Sequence, residues 1–396
     1  MRITPTTELK NRIEKLQKEM AVHSLDAVLM LQNADLFYFT GSIQQGVLYV
    51  PIEGEALYLV RKDWSRARME SGLKEVIPFK SPRDIPGVIA DFGYSMPNTV
   101  GMELDVVPIT TMNRFKKGLG EFVINDATPL IRNVRAVKSD YEINIMKDAA
   151  VIVDKVCKRA AEVIREGMTD LELAAELEFV ARKAGHQGMI RMRGFNGELF
   201  YGHTFSGTDS AVPTFSDTPL GGLGLSPSFP QGASYKSISR NEPITVDFVA
   251  VFDGYIVDQT RMFSVGELPD KLMKAFADMI IIQEHAKQIA KPGVSWGGVY
   301  DDCLQMACDM GYQDHFMGSK GAQVSFIGHG VGVELDEYPF IARGFNDYEL
   351  QENMTFAFEP KAVFQGLGAV GIENTYRVAA EGLKHLTFSE QKLVVL

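Results

Sequence analysis

Five acidic or imidazole side chains stand in apolar, strand-like stretches where an uncompensated charge is costly: Asp247, Asp258, His329, Glu359 and Glu373. The first two lie in ITVDFVAVFDGYIVDQTRMFS (244–264), where two β-rich runs flank Asp253-Gly254. That dipeptide suits a type I′ hairpin turn. With it as the turn, Phe252 faces Tyr255 and Asp258 faces Val249. Asp247 then shares a face with Asp258 as a diagonal neighbour about 7–8 Å away. His329 sits between two glycines in FIGHGVGVELDEYP (326–339). Flanking glycines let a backbone turn closely and aim one side chain. Glu359 ends the strand of MTFAFEP (354–360), and Glu373 lies within GIENTYRV (371–378). Each residue taken alone also reads as a solvent-facing acid or a structural histidine. Together the four carboxylates carry −4, which balances two divalent cations. Carboxylates with one imidazole suit manganese, iron, cobalt or zinc rather than a thiolate-seeking metal. Two such ions about 3.5–4 Å apart can hold a bridging hydroxide and polarise a carbonyl.

The chain that must position these groups has 396 residues, enough for two or three domains and a large core. Lys plus Arg is 40 and Asp plus Glu 51, a net charge of −11. Such a balance argues against general nucleic-acid binding and against docking on anionic lipid. Cys157, Cys303 and Cys308 are an odd, small set, as expected in a reducing compartment, and they read as buried small apolar residues. No run has the length of a membrane span, and the first residues hold no apolar signal-peptide core. The expected location is the cytoplasm.

The N-terminal third alternates helix and strand. Leu9, Ile13, Leu16 and Met20 form a helical stripe, and strands are expected at 27–31, 46–51, 55–60, 76–79 and 98–104, with a helix at 63–71. This predicts a small α/β domain over 1–135. Ser139 with Glu142 and Thr169 with Glu172 are capping boxes that open two helices, to about Arg165 and Ala184. The Gly-, Ser- and Pro-rich stretch 194–243 reads as loops and short strands. A helical pair follows over 269–290 and 295–310, then Gly-punctuated strands over 324–380. The expected C-terminal domain, 136–396, is therefore α+β.

The ordered set of two aspartates eleven apart, a histidine in GHG, a glutamate before proline and a strand glutamate resembles the pita-bread metallopeptidases. Asp247, Asp258, His329, Glu359 and Glu373 match that family's five metal ligands, and DQTR (258–261) is similar to its D-x-T-R segment. The N-terminal third, including NADLFYFTG (33–41), resembles the creatinase/prolidase N-terminal domain, which favours the prolidase and aminopeptidase P branch. The resemblance implies a homodimer with two divalent ions (manganese, cobalt, zinc or iron). Its activity would be removal of the N-terminal residue from short Xaa-Pro peptides, with Glu359 as ligand and general base.

Two positions depart from the pattern. Thr214 is read as standing where hydrolytic relatives carry a histidine after a proline. Asp336 stands where they carry one seven residues after the ligand histidine. The resemblance implies that those histidines contact the substrate and the tetrahedral intermediate. Thr214 cannot shuttle a proton near neutral pH, and an ionised Asp336 accepts hydrogen bonds but donates none. Asp336 is a candidate base or recognition group. His203, in YGHTFSG, is a candidate replacement imidazole or a packed core residue. Arg261 and Arg377 are candidate carboxylate clamps, or structural ion-pair residues. Phe195, Phe200, Tyr201 and Phe205 are candidates for a proline pocket or for core packing. The dimethylsulfoniopropionate lyases are similar pita-bread proteins, so elimination, or hydrolysis of a non-peptide amide or small molecule, is the alternative chemistry. A non-catalytic binding module, like the histone-binding members of the fold, is the third reading.

Overall fold

The structure is a computed structural model and describes residues 2–396. The chain divides into two compact units, one of residues 2–135 with Arg193–Gly197, the other of Ala136–Met192 with Glu198–Leu396.

The first unit is built on a six-stranded mixed sheet in the order Glu75–Pro78, Leu57–Val60, Gly46–Pro51, Ala27–Met30, Thr99–Met102, Val123–Asp126. Five of its strands fall where the apolar runs place them. The sixth, Val123–Asp126, escapes a periodicity reading because VIND is a largely exposed edge strand with no buried face to pattern. The helix Thr6–Val22 buries the stripe Leu9, Ile13, Leu16 and Met20. Asn33–Thr40 (NADLFYFT) is helical and capped by the Gln32 side chain, although its aromatic content favours strand.

The second unit opens with the helices Asp140–Val163 and Asp170–Lys183. Each starts at its capping box, with the Ser139 and Thr169 side chains accepting from the Glu142 and Glu172 amides. The helices Asp270–Ile289 and Trp296–Asp309 cover a core that includes Phe276, Met279, Trp296, Phe356, Phe358 and Tyr376. Cys303 lies in that core as a packing residue, and all three cysteines are free thiols.

Two sheets carry the chemistry, antiparallel throughout except that Val394–Val395 runs parallel to Tyr255–Ser264. One has the order Leu335–Ala342, Phe326–Val331, Thr355–Phe358, Asn374–Ala379, Gly382–His385. The other holds the hairpin Ile244–Phe252 and Tyr255–Ser264 between Gly202–Ser206 and Val394–Val395. The hairpin has the register expected from its turn, with Phe252 opposite Tyr255 and Val249 opposite Asp258. Asp253 and Gly254 both have positive φ, 45° and 85°, as a type I′ turn requires. Among the described residues no helix is long and apolar enough to cross a membrane.

Candidate metal centre

Asp247 and Asp258 project from the same face of the hairpin because Asp247 pairs with Thr260 and Asp258 with Val249. The second sheet brings the other three residues to that face. His329 is aimed by local backbone geometry. A Cβ on Gly328 would fall 2.6 Å from the Ala357 carbonyl oxygen, and one on Gly330 would fall 2.3 Å from those of Glu337 and Tyr338. Only glycines let the neighbouring strands close around the histidine, and the ladder is irregular at His329/Gly330. Glu359 leaves the end of Thr355–Phe358, and Glu373 directly precedes Asn374–Ala379, whose Asn374 pairs with Phe358.

All five side chains are buried. His329 Nε2 lies 3.9 Å from Asp258 Oδ2, 3.7 Å from Glu359 Oε1 and 3.8 Å from Glu373 Oε1. Ligand atoms of Asp258, His329 and Glu373 all fall within 4.8 Å of one another. Asp258 Oδ1 is buried and has no hydrogen-bond partner among the described residues. A buried carboxylate oxygen without a donor calls for a cation. The donor set, carboxylate oxygen with one imidazole nitrogen, fits a divalent first-row ion.

A lysine also enters the cluster. Lys361 is buried, and its Nζ donates to Glu359 Oε2 at 2.6 Å, Asp247 Oδ2 at 3.1 Å and Glu373 Oε2 at 3.3 Å. Its positive charge joins the four carboxylates that two divalent ions are expected to balance. Burial would raise the Asp247 carboxyl, but the Lys361 ammonium and His203 hold it below the usual carboxylate range. Asp258 is pushed well above that range by burial, with Glu373 and Asp247 adding repulsion. Nothing in the sequence marks Lys361 except a charge in the otherwise apolar run after Pro360.

Residues behind the cluster hold its members in place. Thr260 donates to Glu373 Oε2 at 2.7 Å, and the Thr375 hydroxyl bonds both the amide and the carbonyl of Asp258, at 2.8 and 2.9 Å. Arg261, expected as a substrate clamp, is instead turned into the protein. It donates to the carbonyls of Thr260, Glu373 and Ser389 and to Asn374 Oδ1, all within 2.8 Å, and burial lowers its pKa to about 10. The DQTR segment thus contributes one cluster residue and two supports. Arg377 lies on Asn374–Ala379 opposite Thr355 and Lys384, half-buried, and the structure does not bring it into the cluster.

Asp336 has its backbone in the left-handed region, φ 62°, with Oδ1 3.3 Å from His329 Nδ1. That is an ion-pair distance, although Nδ1 makes no hydrogen bond. His203 lies beside the cluster, Nδ1 3.8 Å from Asp247 Oδ2, with its ring against Phe200 and Phe205 rather than Tyr201. Its Nε2 is 2.6 Å from Gln231 Nε2. An amide NH₂ only donates, so the imidazole accepts there and carries its proton on Nδ1, toward Asp247. Ser216 donates to the other Gln231 atom, Oε1, at 2.9 Å, which fits this orientation.

Thr214, expected at a histidine's place, donates to the Pro230 carbonyl at 2.8 Å and lies outside the cluster. The side chain facing His203 is Gln231, which also follows a proline. Two prolines in one irregular stretch, Pro213 and Pro230, offer the same local signal, and only the folded loop distinguishes them. Gln231 also lines a cavity of about 320 Å³ with Phe200, Leu225, Phe229 and Glu178. Phe200 is therefore the one aromatic of the expected pocket set on its wall. Phe205 is core, Tyr201 packs on His186, and Phe195 is 94% exposed and groups with the first unit.

Residues 144–380 match the model of metallopeptidase family M24. This chain belongs to family M24. Residues 12–137 match the creatinase/prolidase N-terminal domain, so the expected α+β architecture, a creatinase-like domain followed by a pita-bread domain, holds. The M24 chain is 28% identical to a Xaa-Pro dipeptidase of Pyrococcus furiosus over 388 residues, 98% of this chain and 100% of that one. Among solved structures it resembles a Xaa-Pro dipeptidase from Bacillus anthracis, with TM-score 0.83, 25% identity and coverage of 98% and 100%. It also resembles an X-Pro aminopeptidase from Thermotoga maritima, with TM-score 0.79, 26% identity and coverage of 97% and 99%. As an M24 member the chain is a metallopeptidase that uses a divalent metal.

Proposed function

We propose that this chain removes the N-terminal residue from short Xaa-Pro peptides. The observation that carries the reading is the buried set Asp258, His329, Glu359 and Glu373. It stands in a chain similar from end to end to proteins named Xaa-Pro dipeptidase. A divalent ion bound by these residues would polarise the scissile carbonyl and acidify the attacking water. Glu359 is the carboxylate we assign to proton transfer from that water to the leaving nitrogen, since Oε1 faces the His329 side while Oε2 is held by Lys361. The Phe200 and Phe229 wall suits an apolar proline ring. His203, pinned by Gln231, acts by orienting Asp247, and Asp336 acts on the His329 ring. The free thiols support a reducing compartment, the cytoplasm.

A second reading, elimination or hydrolysis of a non-peptide amide at the same centre, draws on Asp336 in the place of a histidine. One experiment separates the two. The protein is stripped of metal and reloaded with Mn²⁺, Co²⁺ or Zn²⁺ in turn. It is then assayed on Xaa-Pro dipeptides and tripeptides beside Asp258→Asn. Metal-dependent release of the first residue, lost in the variant, is expected. No release from metal-loaded protein would move the function to the second reading, where an alkene product marks elimination.

A further inference from the structure

The ligand oxygens divide into two groups. Asp258 Oδ2, Glu359 Oε1 and Glu373 Oε1 turn toward His329 Nε2, at 3.9, 3.7 and 3.8 Å. Ligand atoms of Asp258, His329 and Glu373 also lie within 4.8 Å of one another, which suits donors gathered around one ion at about 2.1 Å. Asp247 Oδ2, Glu359 Oε2 and Glu373 Oε2 turn instead toward Lys361 Nζ, at 3.1, 2.6 and 3.3 Å. An ammonium has three donors, and here each has a carboxylate.

The placement of Lys361 is built into the chain. It follows Glu359 by two residues across Pro360, so in extended chain both side chains leave on one face. Gly371 pairs with Lys361 across the Lys361–Phe364 and Gly368–Gly371 ladder, and a Cβ on Gly371 would fall 2.5 Å from Lys361 Cγ. The glycine leaves room for the lysine stem. A second divalent ion would need the oxygens that Lys361 holds, and would set a second cation against the ammonium in a buried site, where repulsion is strong.

We infer that Lys361 takes the place of one of two metal ions, so that this centre binds a single divalent ion through Asp258, His329 and Glu373, with Glu359 beside it. Asp247 then serves as the partner of Lys361 rather than as a ligand. The inference rests on the reading of the cluster as a divalent-metal centre and settles how many ions it holds.

The test counts ions. Full-length wild type, Lys361→Ala and Lys361→Met are stripped, reloaded with Mn²⁺ and desalted. Manganese per chain is measured by mass spectrometry, and its coupling by electron paramagnetic resonance. Wild type should hold one ion per chain with an uncoupled six-line spectrum. Lys361→Ala, which removes both charge and stem, should rise to two ions with a spin-coupled spectrum. Lys361→Met, which keeps the bulk, should stay at one. Two coupled ions in wild type would overturn the inference and leave the metal reading intact. No ion in wild type would overturn both. One ion in a Lys361→Ala variant that melts like wild type would also overturn it. If that variant does not fold, the wild-type count and spectrum decide.

Discussion

Thr260 donates its hydroxyl to Glu373 Oε2 at 2.7 Å, joining residues 113 apart in sequence. With that oxygen held by Thr260 and Lys361, the other, Oε1, is the one presented to His329. Thr260→Val keeps the shape and removes the donor. Metal affinity, read by competition with a chromogenic chelator, should fall about 10- to 100-fold, the usual effect of losing a hydrogen bond behind a ligand. Unchanged affinity would show that Lys361 alone orients Glu373.

Asp336 stands 3.3 Å from the far nitrogen of His329, and its left-handed backbone suits asparagine as well as aspartate. Asp336→Asn should therefore fold normally and, by removing the charge that faces Nδ1, bind metal more weakly, by about 10-fold. At saturating metal, kcat should recover. A collapse of kcat with full metal content would instead return Asp336 to the role of base or recognition group at the substrate.

Arg261 donates to four acceptors and is 2% exposed, so we propose that it supports the cluster from behind rather than clamping the substrate. Arg261→Met should lower unfolding free energy by about 3 kcal/mol or more, because it strands buried acceptors. The ratio of kcat/KM between a Xaa-Pro peptide and its C-terminal amide should stay at the wild-type value. A shift in that ratio would restore the clamp role.

His186 supplies a pH signature away from the cluster. Its Nδ1 accepts from the Gly188 amide at 2.9 Å, and its Nε2–H donates to the Val249 carbonyl at 3.1 Å, so the ring is neutral. Burial, aided by Arg182 and opposed by the Val249 bond, lowers its pKa to about 4. The folded state thus disfavours the proton. The stability this ring contributes is complete above pH 6.5 and is lost as pH falls through about 4. Asp170 acts in the opposite sense. Burial raises it to about 6, so its contribution is complete below 3.8 and is lost as pH rises through 6. In urea melts, His186→Phe should be less stable than wild type at pH 7, and that deficit should shrink steadily toward pH 4. A deficit that stays constant with pH would refute the neutral, buried ring.

The amino-acid sequence by itself determined the parts governed by local geometry. A two-residue Asp-Gly turn dictates hairpin register, so the shared face of Asp247 and Asp258 followed without the fold. Capping boxes at Ser139 and Thr169 placed two helix starts, because a side chain reaching its own third amide needs no distant partner. Order and spacing of the two aspartates, His329, Glu359 and Glu373 sufficed to indicate the family. Tertiary structure alone decided which other groups meet these residues. Lys361 and Asp247 are 114 residues apart, Gln231 and His203 are 28, and Arg261 and Ser389 are 128. Such meetings depend on how one sheet packs on another and where an irregular loop closes. A lysine after a proline, or one of two Pro-containing loop segments, carries no local pattern that says where its side chain ends. The charge that sets the ion count and the donor that pins His203 were therefore settled by packing.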